Sequence, residues 1–178
     1  EFEAIEFDPR SGNLYGARTD EFYQIDPFSG NITLIGEFGE GDGTLGLVDF
    51  NDVDGLARDP INDVWYGSAR HDQVECGEPD VLFIFNPNSG VHLSGAFSDF
   101  DGDTNPDDYV EIQPPSGESC HTYIDDLGFD PFTGKLYGIA NGGGSYNDYT
   151  TIVEIDPATG QTIDLGQVYY NPGTGAEL

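Results

Sequence analysis

One pattern occurs three times in the chain and constrains the fold more than any other feature. It begins with an aliphatic residue, continues through Asp-Pro and a polar turn, and ends in Tyr-Gly. Its copies occupy residues 5–16, 56–67 and 127–138. A second proline turn follows each copy, at residues 25–30, 85–90 and 155–160, and a short alternating run follows each of these turns. The chain is therefore predicted to repeat one structural unit three times.

The turns carry the residues that tight hairpins need. Asp or Asn in the first position can cap the turn, the next Pro presets φ, and a final Gly accepts a positive φ. The flanking residues alternate between apolar and polar, as in half-buried strands. The first unit is predicted to have strands at residues 3–8, 13–18, 21–26 and 31–36. No stretch has helical periodicity, and 25 Gly with 11 Pro would break most helices.

Four antiparallel strands per unit predict a propeller blade. The Asp-Pro-x-Ser/Thr-Gly-x-Leu-Tyr-Gly pattern, with an Ile-Asp-Pro-x-Thr-Gly turn behind it, resembles the blades of secreted bacterial-type β-propeller repeat proteins. The resemblance covers nearly the whole chain and implies an all-β fold with three blades. Members of this class serve as adhesins, surface-layer components and binding scaffolds. The predicted boundaries are blade 1 at about 1–40, blade 2 at about 47–97, an acidic insertion at 98–119, blade 3 at about 120–168 and a tail at 169–178.

Three blades are fewer than the four to eight of a typical closed propeller. The tail could complete the first blade of its own chain or of a neighbouring chain, because an open sheet edge exposes unpaired backbone groups. Three arrangements follow: a self-closed ring, a twofold dimer with six blades, and a head-to-tail filament. The mismatched ends favour a homo-oligomer or homopolymer, and the choice among its forms stays open.

The charge of the chain limits its partners. The formal net charge is -29, from 34 carboxylates against five bases. Nucleic acids and anionic membrane surfaces would be repelled. The chain has no run of about 18 apolar residues, so no membrane-spanning helix is predicted. Cations are attracted instead, and calcium is the expected cofactor of a carboxylate-rich extracellular chain.

The acidic insertion contains the strongest candidate metal site. Oxygen-bearing side chains alternate along it, at Asp99, Asp101, Asp103, Asn105 and Asp107. This rhythm matches the first half of an EF-hand loop, whose short acidic side chains converge on calcium. The second half departs from it, because the sixth position is not Gly, Pro106 intervenes and the twelfth position is Val110. The prediction is a calcium loop outside the EF-hand class, and the alternative is a solvated acidic insertion.

Two further acidic groups are weaker candidates. The first is a predicted metal cluster of Asp49, Asn51, Asp52 and Asp54, for which plain turn chemistry is the alternative. The second comprises Glu3, Asp54 and Asp125, which stand five residues before the Asp-Pro aspartate of each unit. Blades around an axis would bring these three carboxylates together, where they would repel unless a cation or water separated them. The alternative is that each caps a local turn.

Two features fit an extracellular or cell-surface location. Cys76 and Cys120 lie in polar loops and predict one disulfide, with two buried free thiols as the alternative. Asn31 begins an Asn-Ile-Thr sequon just after a turn, and is an accessible acceptor if the source glycosylates.

Catalytic signatures are weak. The three His do not repeat in register, no Gly-x-Ser-x-Gly occurs, and 34 carboxylates make any one pair uninformative. The sequence therefore favours a non-catalytic extracellular structural protein, stabilised by calcium and assembled into a filament or surface coat. The alternative is a calcium-dependent adhesin that binds glycan or peptide. A glycan-active enzyme has the least support.

Overall fold

The computed structural model describes residues 1–71, 79–114, 122–142 and 149–169. Sheet 1 contains β1 (Ala4–Asp8), β2 (Asn13–Arg18), β3 (Glu21–Ile25) and β4 (Ile32–Glu37). A short hairpin of β5 (Glu40–Gly41) and β6 (Val48–Asp49) follows. Sheet 2 contains β7 (Val53–Asp59), β8 (Val64–Ala69), β9 (Val81–Phe85) and β10 (Tyr109–Glu111). Sheet 3 contains β11 (Thr122–Phe129), β12 (Leu136–Gly142), β13 (Tyr149–Ile155) and β14 (Thr162–Tyr169).

The all-β prediction is confirmed: neighbouring strands pair antiparallel in every sheet, and the described ranges contain no helix. A search of these ranges for a helix able to cross a membrane accordingly finds none. The four strands of sheet 1 agree within one residue with those expected at 3–8, 13–18, 21–26 and 31–36. Local turn chemistry therefore decides where each strand begins and ends.

Five of the six proline turns end with a glycine whose φ is positive, between 69° and 80°: Gly12, Gly30, Gly90, Gly134 and Gly160. The sixth turn has Asp63 in this position, with φ of 59°. Asp is one of the few residues that enters this region without a large steric cost. Its carboxylate accepts a hydrogen bond of 2.8 Å from Arg58 Nη2 and another from Arg10. Asp63, the exception in the turn pattern, thus places a hydrogen-bond acceptor beside Arg58 and Arg10.

Sheet 2 differs from the prediction at its outer strand. The alternating run at residues 91–94 makes only an isolated bridge, between His92 and Phe85. The chain then leaves the sheet and returns as β10, which pairs with β9. The boundary expected at residue 97 therefore falls inside the sheet, because the acidic segment interrupts its fourth strand. Tyr109 holds the returning strand: it is fully buried, and its hydroxyl donates to the Gly46 carbonyl at 2.8 Å.

Sheet 2 lies between the other two sheets, and β7 packs against both β1 and β11. The tyrosine of the repeated motif packs in the same sense at both interfaces. The ring of Tyr15 lies 5.1 Å from that of Trp65, and the ring of Tyr66 lies 5.5 Å from that of Phe129. Each of the first two units therefore places its motif tyrosine against the next unit.

Sheet 2 divides its apolar side chains between two cores. Those facing sheet 1 include Leu56, Trp65, Phe83, Phe85 and Tyr109. Those facing sheet 3 include Ala57, Tyr66, Leu82 and Val110. Adjacent residues of a strand point to opposite faces, so the continuous apolar run of β9 supplies both cores. A strand that is buried on both faces has this composition.

Sheet 1 takes all four of its strands from the first unit, so it needs no strand from the tail. The reason is that residues 4–37 already supply both hairpins. Residues 170–178 of the expected tail lie outside the described ranges. Cys76 and Cys120 lie outside them too, and the disulfide stays a prediction.

Candidate cation-binding sites

The acidic segment forms a compact loop with three carboxylates on one side. Asp99, Asp101 and Asp103 are exposed, and each offers one oxygen within 4.8 Å of the other two. Backbone amides shape the loop, since Asp99 accepts hydrogen bonds from Gly102 at 2.7 Å and from Thr104 at 3.1 Å. A calcium–oxygen bond is about 2.4 Å long, so one calcium ion could contact all three oxygens.

The two remaining predicted loop ligands behave differently. The side-chain nitrogen of Asn105 donates to Asp103 at 2.8 Å. Asp107 is buried beneath the loop and accepts a hydrogen bond from the Phe100 amide at 3.1 Å. Burial and then the nearby charges of the loop, led by that of Asp101, raise the pKa of Asp107. The structure therefore gathers Asp99, Asp101 and Asp103 at the rim and places Asp107 at the base.

The backbone of the loop resembles an EF-hand at one informative point. Counting from Asp99, the sixth position is Thr104, whose φ is 81°. An EF-hand loop has its invariant glycine at this position because the chain turns sharply there. Thr104 therefore makes this sharp turn, although the glycine of the EF-hand pattern is missing there.

The second predicted cluster is divided in the structure. Asp49 and Asn51 are exposed, and the Asn51 side chain donates to Asp49 at 3.3 Å. Asp54 lies elsewhere, with Glu3 and Asp52, and one carboxylate oxygen of each lies within 4.8 Å of the other two. The equivalent positions of Glu3 and Asp54 in the repeat predicted that these two would lie together, and the structure adds Asp52 to them.

Two of the three carboxylates expected to converge, those of Asp54 and Asp125, lie beside one guanidinium group. Arg70 Nη2 is 2.5 Å from Asp54 Oδ2 and 3.5 Å from Asp125 Oδ1. The third, Glu3, has one oxygen within 4.8 Å of an oxygen of Asp54 and accepts a hydrogen bond of 2.9 Å from the Thr19 amide. Arg70 therefore lies between two of the acids that the repeat brings together. We call this region, which contains Glu3, Asp52, Asp54, Arg70 and Asp125, the hub corner.

Asp80 belongs to the hub corner and was missed by sequence reasoning. It is 1% exposed, and its Oδ2 accepts a hydrogen bond of 2.7 Å from the Ile124 amide of sheet 3. Burial raises the pKa of Asp80 to about 7, and burial likewise raises that of Asp54 to about 6. The sequence did offer one signal for Asp80, which is its position directly before the continuous apolar run of β9.

A second buried charge group lies at the other ends of the first strands. Arg58 is 4% exposed and lies 3.5 Å from Asp8 and 2.8 Å from Asp63. Glu6 is half-buried nearby, and burial, followed by the charge of Asp126, raises its pKa to about 7. In units one and three the residue that corresponds to Arg58 is Phe, so this base is particular to unit two.

Exposure differs between the predicted glycosylation site and the aromatic residues of the repeated motif. Asn31 is exposed in the turn after Gly30, so its side chain is accessible. Trp65 and Tyr66 are 4% and 8% exposed and belong to the cores, so their rings are not available to stack on a sugar. Glycosylation of Asn31 stays a prediction.

The comparisons with known proteins concern the fold. No family model matches the chain, and no curated protein matches it. Among similar solved structures is the PQQ-bound form of aldose sugar dehydrogenase (Adh) from Streptomyces coelicolor, a propeller-type dehydrogenase. The identity is 14% and the TM-score 0.50, over 87% of this chain and 44% of that one. The chain thus spans less than half of the length of this neighbour, and the likeness supports a propeller-like all-β fold alone.

Proposed function

We propose that the chain is a non-catalytic extracellular structural module. Its three sheets are three propeller blades, and copies of the chain stack head to tail through the open faces of the first and third blades. Calcium stabilises the module at the acidic loop. One observation carries this proposal. Sheets 1 and 3 each expose an apolar face, and similar apolar faces are buried where these sheets pack against sheet 2.

The open face of sheet 1 consists of two apolar rows. Residues directly opposite each other on paired strands share a face. One row contains Ile5, Gly16, Tyr23 and Leu34, and the other contains Phe7, Leu14, Ile25 and Ile32. Their outer members are about half exposed, with Ile5 at 57% and Phe7 at 52%. Contiguous exposed apolar surface of this kind marks an interaction site in soluble proteins.

Sheet 3 has a matching open face. Ile139 and Ile152 are directly opposite each other there and are 42% and 40% exposed. Tyr137 lies beside them and helps to line a shallow apolar groove with both residues. Lys135 Nζ lies 2.8 Å from Glu154 Oε2, so the charge of this base is offset by a carboxylate.

The repeat specifies how these faces would meet. Tyr15 packs on unit two and Tyr66 packs on unit three, so Tyr137 is left to pack on a following unit. The residue of the first unit equivalent to Phe129, the partner of Tyr66, is Phe7 on the open face of sheet 1. A second copy of the chain therefore offers a suitable partner for each open face. Such a contact joins two different faces, and it produces a ring or a filament.

The distribution of bases supports a non-catalytic role. All five are described, and each pairs with a carboxylate: Arg10, Arg18, Arg58, Arg70 and Lys135. Each base therefore already has a carboxylate partner within the chain. Similarity of fold alone does not transfer an activity.

The acidic loop fits a module that calcium stabilises. The loop interrupts the outer strand of blade 2, and a cation there would relieve repulsion among Asp99, Asp101 and Asp103. With a net charge of -29, copies of the chain also repel each other at low ionic strength. Assembly is therefore expected to need calcium or moderate salt. Melting temperature should rise with calcium, and Asp101→Asn should reduce that rise.

Light scattering of purified protein, coupled to size exclusion, tests the assembly. Phe7→Asp blocks the face of sheet 1, and Ile139→Asp blocks the face of sheet 3. The unmodified chain should form dimers or larger species in calcium. Each variant alone should be monomeric, and an equimolar mixture should form only 1:1 dimers, because one intact face of each kind remains.

Leu47→Asp is the matched control, since Leu47 is 64% exposed in the β5–β6 hairpin and outside both faces. It should assemble as the unmodified chain does. Circular dichroism should be unchanged in all three variants, because exposed substitutions rarely unfold a protein. A monomeric unmodified chain in calcium, or variants that still assemble alone, would overturn the proposal.

A further inference from the structure

Three buried side-chain atoms of the described residues have no hydrogen-bond partner among them: Ser68 Oγ, Arg70 Nε and Asp80 Oδ1. A fourth, Asp54 Oδ2, makes no hydrogen bond but is ion-paired with Arg70 Nη2. Buried polar atoms are nearly always satisfied, so an unsatisfied group calls for a specific cause such as a bound ion or water. The unpartnered oxygens of Asp80 and Ser68, which are each 1% exposed, point to a ligand in this region.

All four atoms lie in the hub corner. Ser68 and Arg70 are two residues apart at the end of β8, so they point to the same side of sheet 2. Asp80 directly precedes Val81, which pairs with Ala69, and this places Asp80 opposite Arg70. Asp54 is ion-paired with Arg70 at 2.5 Å. The four residues therefore lie near one another where the first strands of the three sheets meet.

A glycine allows the strands to approach closely beside these polar groups. A Cβ atom built on Gly55 would lie 2.4 Å from Ser68 Oγ and 3.2 Å from the Leu127 amide nitrogen. Any side chain at this position would therefore push β7 away from Ser68 and from sheet 3.

The charge of the hub corner determines the ligand. Five carboxylates, those of Glu3, Asp52, Asp54, Asp80 and Asp125, surround the single base Arg70. Oxygens of Glu3, Asp52 and Asp54 lie within 4.8 Å of one another, which is twice a calcium–oxygen bond of about 2.4 Å. The excess negative charge excludes an anion, and hard carboxylate oxygens exclude a soft metal.

We propose that the hub corner binds a divalent hard cation, calcium in an extracellular setting. Glu3, Asp52 and Asp54 supply its direct ligands, while Asp80 and Ser68 hold a water molecule that completes its shell. Arg70 offsets part of the remaining negative charge. The ion links the segment before β1, the start of β7 and the end of β8, and Asp80 extends the link to sheet 3 through Ile124. This site is separate from the acidic loop and does not depend on head-to-tail assembly.

Calcium titration by calorimetry, with metal content measured by mass spectrometry, tests this site. The parent for the experiment carries Asp99→Asn, Asp101→Asn and Asp103→Asn, so the loop no longer contributes. This parent should bind one calcium ion per chain. Asp80→Asn should weaken binding about 10- to 100-fold, as the loss of an outer partner of a metal site typically does. Its side-chain oxygen can still accept from Ile124, so the fold is retained.

Glu3→Gln provides a second variant that leaves the core intact, because Glu3 is exposed. It should weaken binding by at least about tenfold through the loss of one charged ligand. The matched control is Glu37→Gln, an exposed carboxylate on β4, which should bind as the parent does. A parent that binds no calcium would mean that water alone fills the corner and would overturn the proposal. Unchanged binding in both Asp80→Asn and Glu3→Gln would also overturn it.

Discussion

The two interfaces on either side of sheet 2 are built from different chemistry. Toward sheet 1 the contact is aromatic: Phe83 stacks on Phe50 with ring centroids 4.2 Å apart, and Phe22 lies 4.9 Å from Phe85. Toward sheet 3 the contact is mostly aliphatic, with the ring pair of Tyr66 and Phe129, and it adjoins the hub corner with its unsatisfied polar atoms. The aromatic interface is thus closed by its own rings, whereas the other borders buried polar atoms that have no partner among the described residues.

The largest effect is expected from the aromatic interface. Phe83→Ala removes a ring that is fully buried and in contact with Phe38, Phe50 and Phe85. The free energy of unfolding should fall by about 3–5 kcal/mol, through lost transfer energy and the remaining cavity. Urea unfolding followed by Trp65 fluorescence measures it. Leu82→Ala on the opposite face should cost about 2–5 kcal/mol, and a loss below about 1 kcal/mol for Phe83→Ala would break the comparison.

A smaller effect distinguishes covered faces from open ones. A Cβ built on Gly67 would lie 2.4 Å from the Phe83 ring, whereas one on Gly128 would have no atom within 4 Å. Gly67→Ala should therefore lower the free energy of unfolding by about 1–3 kcal/mol through overpacking. Gly128→Ala should be neutral or slightly stabilising in the monomer. Equal costs for the two substitutions in urea unfolding would contradict this difference.

Ser68→Ala tests the polar corner of the aliphatic interface. Its hydroxyl is buried without a partner among the described residues, an arrangement that costs about 1–3 kcal/mol. In chelator the substitution should raise the free energy of unfolding by about 1 kcal/mol. In calcium the gain should disappear, because the hydroxyl is then engaged. A destabilised variant in chelator would indicate that the hydroxyl is already satisfied by the protein.

A further expected effect is a dependence of stability on pH. Burial and the charge of Asp126 raise the pKa of Glu6 to about 7, against the lowering effect of Arg58. Between the unfolded value and about 7, the folded chain binds more protons than the unfolded chain. This contribution to stability is present at low pH and is lost as pH rises toward 7. Glu6→Gln should reduce the slope in chelator, while Asp54 and Asp80 keep their share, and an unchanged slope would exclude Glu6 as a source.

Part of the candidate chemistry was readable from sequence and part was not. Asp99, Asp101 and Asp103 are close in the chain, so their spacing alone predicted that they would meet. Equivalent positions in three repeats likewise predicted that Glu3, Asp54 and Asp125 would converge, and the structure brings Glu3 close to Asp54 and joins Asp54 to Asp125 through Arg70. Asp80 and Ser68 could not be found this way, because they have no counterpart in the motif and meet only through the pairing of β8 with β9.

The sequence by itself determined the turns, the strand bounds of the first unit and the threefold repetition, because Asp-Pro and Gly act on dihedral angles within a few residues. The continuous apolar run of β9 also indicated a strand buried on both faces, which fits the position of sheet 2 between the other two sheets. Only the tertiary structure decided that residues 109–111 return to complete sheet 2, that the open margins are faces and not missing strands, and that Arg70 lies among the converging acids. These features depend on contacts between residues far apart in the chain, whose geometry no local pattern contains.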